Sequence, residues 1–133
     1  MASVRINHGS LYARDPRGAA EHLAALAGGR VERFHPVEGA FVCLLNGDWD
    51  DALIEFYPRT VTLAHDDGVV TFRRLSPPAS GGGSHFNLSI PGSRGDVERA
   101  CAARGLTYAW RDWAGLLDVW LEDDLLIECV PTD

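Results

Sequence analysis

The chain is 133 residues long, carries a net charge of −7 and is 46% hydrophobic. That length allows one compact domain with its own core, and the acidic balance argues against a nucleic-acid partner, whose phosphates demand a basic face. No apolar run approaches the roughly 20 residues of a membrane span, no basic-then-apolar segment resembles a signal peptide, and all twelve cationic side chains are arginine, which removes lysine Schiff-base chemistry and a Walker-type phosphate loop.

The first predicted element is a strand over residues 4–13. Asp15-Pro16 then supplies an N-cap and a proline at the first helical position. Ala19, Ala20, Leu23 and Leu26 fall at helical spacing, and Gly28-Gly29 ends the helix. Strands are expected near 30–35, 40–46 and 51–57, the last two joined by a turn at Asn46-Gly47-Asp48. Thr60 to Gly83 separates this unit from the next. Its Ser-Pro-Pro-Ala-Ser-Gly-Gly-Gly tail reads as a flexible linker, while Val69 to Leu75 reads as a short added strand or edge.

A second unit repeats the first. A strand over 84–90 leads to Ser93, whose spacing to Asp96 forms a capping box with Asp in place of Glu. Val97, Ala100 and Cys101 make the helix stripe and Gly105 closes it. Strands near 106–112, 116–121 and 125–130 complete a second β-α-β-β-β order. The domain assignment is therefore one domain over 1–133, with module one at 1–60, a linker at 61–83 and module two at 84–133. Each module alone is marginal in size, so the two are expected to share a core.

The repeat extends to chemistry. Ile6-Asn7-His8 is answered 47 residues after its histidine by Leu53-Ile54-Glu55, and Ser84-His85-Phe86 is answered 43 residues on by Leu126-Ile127-Glu128. Strand alternation puts Ile6, His8, Ser10 and Tyr12 on one face, and His85, Asn87 and Ser89 on the corresponding face of the second unit. Glu55 lies with Leu53 and Tyr57, and Glu128 with Leu126 and Val130. A lone carboxylate on such a strand is costly to bury unless it is protonated, paired or bound to metal. Two glutamates beside two histidines point to metal. Imidazole and carboxylate suit Zn, Ni, Co, Fe or Mn, and the metal's identity stays open.

These residues resemble the vicinal oxygen chelate superfamily, which includes glyoxalase I, extradiol dioxygenases and the bleomycin- and fosfomycin-resistance proteins. The likeness rests on His8 and Asp15, Ile54-Glu55, His85 with Leu88-Ser89-Ile90, and Leu126-Ile127-Glu128, and it spans nearly the whole chain. It implies an α+β fold of two β-α-β-β-β modules forming an open, curled barrel of mixed β-sheet with flanking helices. It also implies one divalent metal per site, held by His8, Glu55, His85 and Glu128, and a homodimer. Whether a site forms within one chain or between two stays open. A His-Glu-His-Glu set is most similar to glyoxalase I, which implies a lyase or isomerase. The alternatives are an iron-dependent dioxygenase, or a non-catalytic antibiotic-binding protein with the same fold. Tyr12, where glutathione-dependent relatives usually have arginine, and Arg59, where they usually have asparagine, speak against glutathione as cosubstrate.

Glu128 is the expected catalytic base, with Glu55 as alternate. Candidate substrate-binding residues are Tyr12, Tyr57, Arg59, Asn87, Trp110, Arg111, Trp113 and Trp120. The partner is expected to be a small molecule, with neither nucleic acid nor membrane involved. Cys43, Cys101 and Cys129, an odd number without metal-type spacing, read as reduced core thiols of a cytoplasmic protein. The Glu122-Asp123-Asp124 run reads as solvated turn charge.

Overall fold

The computed structural model describes residues 3–81 and 83–133. Residues 1 and 2 of the expected first module, and Gly82 of the glycine run, lie outside the described residues. Ten strands and two helices follow in the order β1 (His8–Ala13), α1 (Pro16–Ala27), β2 (Arg30–Arg33), β3 (Phe41–Leu44), β4 (Leu53–Pro58), β5 (Val61–Asp66), β6 (Val69–Arg74), β7 (Phe86–Ile90), α2 (Arg94–Ala103), β8 (Thr107–Arg111), β9 (Leu116–Glu122) and β10 (Leu125–Pro131).

The duplication read from the sequence is duplication of topology. One sheet has the order β1-β4-β3-β2 and the other β7-β10-β9-β8. In each, the first strand of the module pairs in parallel with the last, and the remaining pairs are antiparallel. Both sheets are open and mixed, as expected.

The helices start where their caps dictate. Asp15 accepts the Gly18 N–H at 3.0 Å, Pro16 opens α1, and Gly28 closes it in the left-handed conformation at φ 78°. Ser93 and Asp96 form the anticipated reciprocal capping box at the start of α2. Each helix lays its apolar stripe on its own sheet. The first module buries Ala20, Leu23 and Leu26 of its helix with Leu11, Ala13, Ile54 and Phe56 of its sheet, and the second buries Val97 and Cys101 with Leu117, Val119, Ile127 and Cys129. All of these belong to one continuous core, so the modules share it. Burying a Leu, Ile or Phe side chain is worth about 1.5–3 kcal/mol, and this shared interior is what makes two short modules one stable body.

Two expectations need correction. Residues 61–83 are not linker throughout: the added strand expected at 69–75 forms as Val69–Arg74, and an unexpected strand, Val61–Asp66, pairs with it in an antiparallel hairpin turning at Asp67-Gly68. The alternation of Val, Thr, Leu and Phe drives this pairing, and a left-handed Gly68 at φ 87° permits the turn. The first strand also begins at His8 rather than residue 4, and Val4 and Ile6 are exposed before it. Among the described residues, no helix is long and apolar enough to cross a membrane.

Candidate functional site

The faces turned away from the helices carry the four predicted ligand residues. On β4, burial is continuous through Leu53, Ile54, Glu55, Phe56 and Tyr57, because helix α1 covers one face while Phe34 and the β5–β6 hairpin lie over part of the other. Glu55 is 6% exposed and is the buried charged residue of the chain's described part. Its Oε1 accepts the Ser10 hydroxyl at 2.7 Å and lies 3.9 Å from His8 Nε2. Register explains the meeting: β1 and β4 are parallel with Ser10 opposite Glu55, and His8 is one same-face step along.

Module two repeats this arrangement. Asn87 stands opposite Glu128 in the parallel β7–β10 pair. Glu128 Oε1 accepts from Asn87 Nδ2 at 3.2 Å and lies 3.6 Å from His85 Nε2. Each half thus holds a histidine, a glutamate and, two residues after the histidine, a hydrogen-bonding side chain aimed at the glutamate.

The halves differ in what else surrounds the carboxylate. Arg111 Nη1 lies 3.0 Å from Glu128 Oε2. Arg111 is itself fixed by a two-pronged pair with Asp118, one contact of which is Nε to Oδ2 at 3.0 Å. The Asn87 hydrogen bond, with Arg111 and His85, holds the Glu128 carboxyl below its ordinary range despite partial burial. Glu55 has no arginine against it. Its neighbours are the His8 imidazole and two hydroxyls, Ser10 and Tyr57. Burial first, then the charge of Glu55, pushes the Tyr57 phenol up to about 12, so it remains a neutral donor.

The remaining predicted residues fall on different surfaces. Tyr12 and Tyr57 lie across from each other on β1 and β4, beside the Ser10–Glu55 bond. Trp120 sits two residues along β9 from Asp118, on the Glu128 face. Trp110 turns to the opposite face, under the Arg94 guanidinium of α2 at 4.3 Å from its ring centre. Trp113 is 83% exposed in the β8–β9 turn, with the Arg111 guanidinium 5.3 Å from its ring. Arg59 points away from both glutamates and pairs with Asp124 and Glu122.

That contact overturns the reading of Glu122 and Asp124 as solvated turn charge, while Asp123 is exposed in the turn as expected. Glu122 accepts the Arg14 and Asp15 backbone N–H groups at 2.7 Å each, at the start of α1. Asp124 takes Arg59 and the Gly81 N–H, which hold its carboxyl down to about 2. The run bridges the modules, and only the fold could show that its partners lie far away in the chain. Ser10 and Asp118 are the site residues the sequence reading passed over. For Ser10 a signal was present, since it shares the face of His8 and matches Asn87 in the repeat.

The donor types suit a divalent metal. A metal with bonds of about 2.0–2.2 Å to nitrogen and oxygen keeps such atoms roughly 3.0–3.5 Å apart, close to the two observed His–Glu separations. Among the described residues, however, no three His, Cys, Asp or Glu side chains converge closely enough to hold a metal ion. Each module brings together one histidine and one glutamate.

No family model matches the chain, and no curated protein gives a significant match. Solved structures do resemble it. An integron cassette protein from the mobile metagenome of V. cholerae superposes with a TM-score of 0.63 at 13% identity, over 100% of this chain and 98% of that one. The fosfomycin resistance protein FosX from Listeria monocytogenes, complexed with Mn(II) and sulfate, gives 0.61 at 12% identity, over 100% and 93%. Lactoylglutathione lyase from Agrobacterium tumefaciens gives 0.59 at 15% identity, over 99% and 96%. At these identities the likeness is one of fold.

Proposed function

With the vicinal oxygen chelate fold of this chain as the premise, we propose that the protein is a divalent-metal-dependent lyase or isomerase of the glyoxalase type, acting on a small molecule with two adjacent oxygens. The observation that carries this reading is the doubled His–Glu pair, at the same register in both modules. Two donors do not hold a catalytic metal, which takes three or four protein ligands. The set is completed when His8 and Glu55 of one copy face His85 and Glu128 of a second copy. A homodimer then carries two sites and one metal per chain. The Mn(II) in the Listeria FosX structure supports a divalent metal on this fold.

Bound there, the metal supplies Lewis-acid stabilisation of the oxyanion that develops when a C–H beside a carbonyl loses its proton. The chain's own groups do the rest. Glu128, gripped by Arg111 and Asn87, is the fixed anionic ligand. Glu55 has no arginine clamp, only the Ser10 hydroxyl and the His8 imidazole at 3.9 Å, so it is assigned the base; the Arg111 clamp is the reason for preferring it over Glu128. Ser10 orients Glu55, and the Tyr57 phenol beside it stays protonated as a hydrogen-bond donor. A positioned base is worth about 10²–10⁴-fold in rate.

The test is metal content. Purified protein loaded in turn with Ni, Zn, Co and Mn is expected to retain close to one ion per chain by elemental mass spectrometry, and a His8→Ala/His85→Ala variant to retain none. A folded wild-type protein that retains no metal after loading would remove this reading and leave a ligand-binding protein on the same fold.

A further inference from the structure

Resting on that reading of the site, the geometry points to a substrate class: we infer that the substrate carries a phenyl-sized apolar group beside its two oxygens. That group is received by a pocket between β1, β4 and the β5–β6 hairpin.

The pocket has a volume of about 180 Å³. An apolar cavity of about 150 Å³ is large enough to admit benzene, so one six-membered ring fits. Its inner wall is Ser10, Tyr12 and Tyr57, the same face that presents Glu55. Through the Ser10–Glu55 hydrogen bond, the pocket opens directly beside the proposed base. A ligand holding two oxygens against the His8–Glu55 pair therefore has its neighbouring substituent at the pocket mouth.

The outer wall comes from the hairpin, through Thr62 and Leu63. Leu63 is the cross-strand partner of Phe72, and Phe72 sets its edge on the Tyr57 ring at 6.3 Å. Cross-strand partners share a face of the hairpin, so Leu63 and Phe72 both turn toward Tyr57. Yet they remain 53% and 39% exposed. Leu63 lines the pocket opposite the Tyr12 and Tyr57 rings, with Phe72 backing Tyr57, and an apolar wall facing two tyrosines suits an aromatic ligand. Because the hairpin lies between the modules and takes no part in either sheet, it sets the size of this pocket without altering the metal ligands. Leu63 is thus a specificity-determining residue.

The experiment separates the ring from the chelating oxygens. Metal-free protein is titrated with benzyl alcohol while the Leu63 methyl and Tyr57 ring signals are followed by NMR. Metal-loaded protein is titrated calorimetrically with benzohydroxamate and acetohydroxamate, which offer the same vicinal oxygens with and without a ring. Benzyl alcohol is expected to shift both signals, and benzohydroxamate to bind at least ~10-fold more tightly than acetohydroxamate. Leu63→Trp, which fills the pocket, is expected to bring that ratio near one. Leu63→Ala, which enlarges it and also serves if the Trp variant does not fold, should move the preference to 2-naphthohydroxamate. Unmoved Leu63 and Tyr57 signals, or a ratio unaltered by either substitution, would overturn the inference. If the protein takes no metal, the function proposed above fails, and the benzyl alcohol titration still decides the pocket.

Discussion

Glu55 and Glu128 stand at equivalent positions of the repeat, but their surroundings make them different reagents. Glu128 is held on both oxygens, by Asn87 and His85 on one and Arg111 on the other. Glu55 depends on the Ser10 hydroxyl and the nearby His8. Groups that orient a metal ligand typically carry about 10–100-fold in affinity when removed. Ser10→Ala is therefore expected to weaken metal binding by about that factor, whereas Asn87→Ala, with Arg111 still in place, should weaken it several-fold less. Competition against a fluorescent chelator measures both constants, and equal losses would contradict the asymmetry. The same comparison explains why Ser10 belongs with the site although its residue type draws no attention.

Helix α1 meets α2 and β9 of the other module, and β1 also approaches β7. Gly9 on β1 faces the Phe86 ring at the start of β7; a Cβ placed on it would lie 2.1 Å from Phe86 Cζ. Glycine is required here for close approach rather than for backbone freedom. Gly9→Ala must push the ring aside, at a cost of about 1–2 kcal/mol because Phe86 is only partly buried. Urea unfolding should show that loss, and Gly9→Ala combined with Phe86→Leu should recover most of it. Independent, additive effects would mean that the two residues do not meet. The β5–β6 hairpin is a decisive element as well, since it converts an open sheet face into a bounded pocket.

Across the molecule, the core is shared between the modules and an ionic latch closes the opposite end. Arg59 and Arg14 of module one reach Asp124, and Glu122 captures the N–H groups that begin α1. The Asp124 carboxyl sits near 2, below the ordinary value of about 3.9 for the unfolded chain. A group lowered on folding stabilises fully above its unfolded value and loses that contribution as pH falls toward its folded one. Wild-type protein is thus expected to lose latch stability between about pH 4 and pH 2. Asp124→Asn should be less stable than wild type at pH 6, with the difference shrinking toward pH 2 in urea titrations. A gap that stays constant over this range would show that Asp124 is not the group responsible.

Much of this protein was legible from local pattern. Caps at Asp15 and Ser93, glycine at Gly28 and strand alternation around His8, Glu55, His85 and Glu128 act over a few residues, so element type and side-chain facing follow from neighbours in the chain. The duplication made the histidines and glutamates visible as a set for the same reason. What the tertiary structure alone decided are contacts between residues distant in sequence. The Arg111 clamp on Glu128, the latch of Arg59 on Asp124, the turning of Trp110 toward α2 and the seating of the hairpin on Tyr57 are of this kind. Each depends on which strands become neighbours and in what register. Shared-core packing settles that, through apolar burial whose non-directional pull leaves no short-range trace in the sequence.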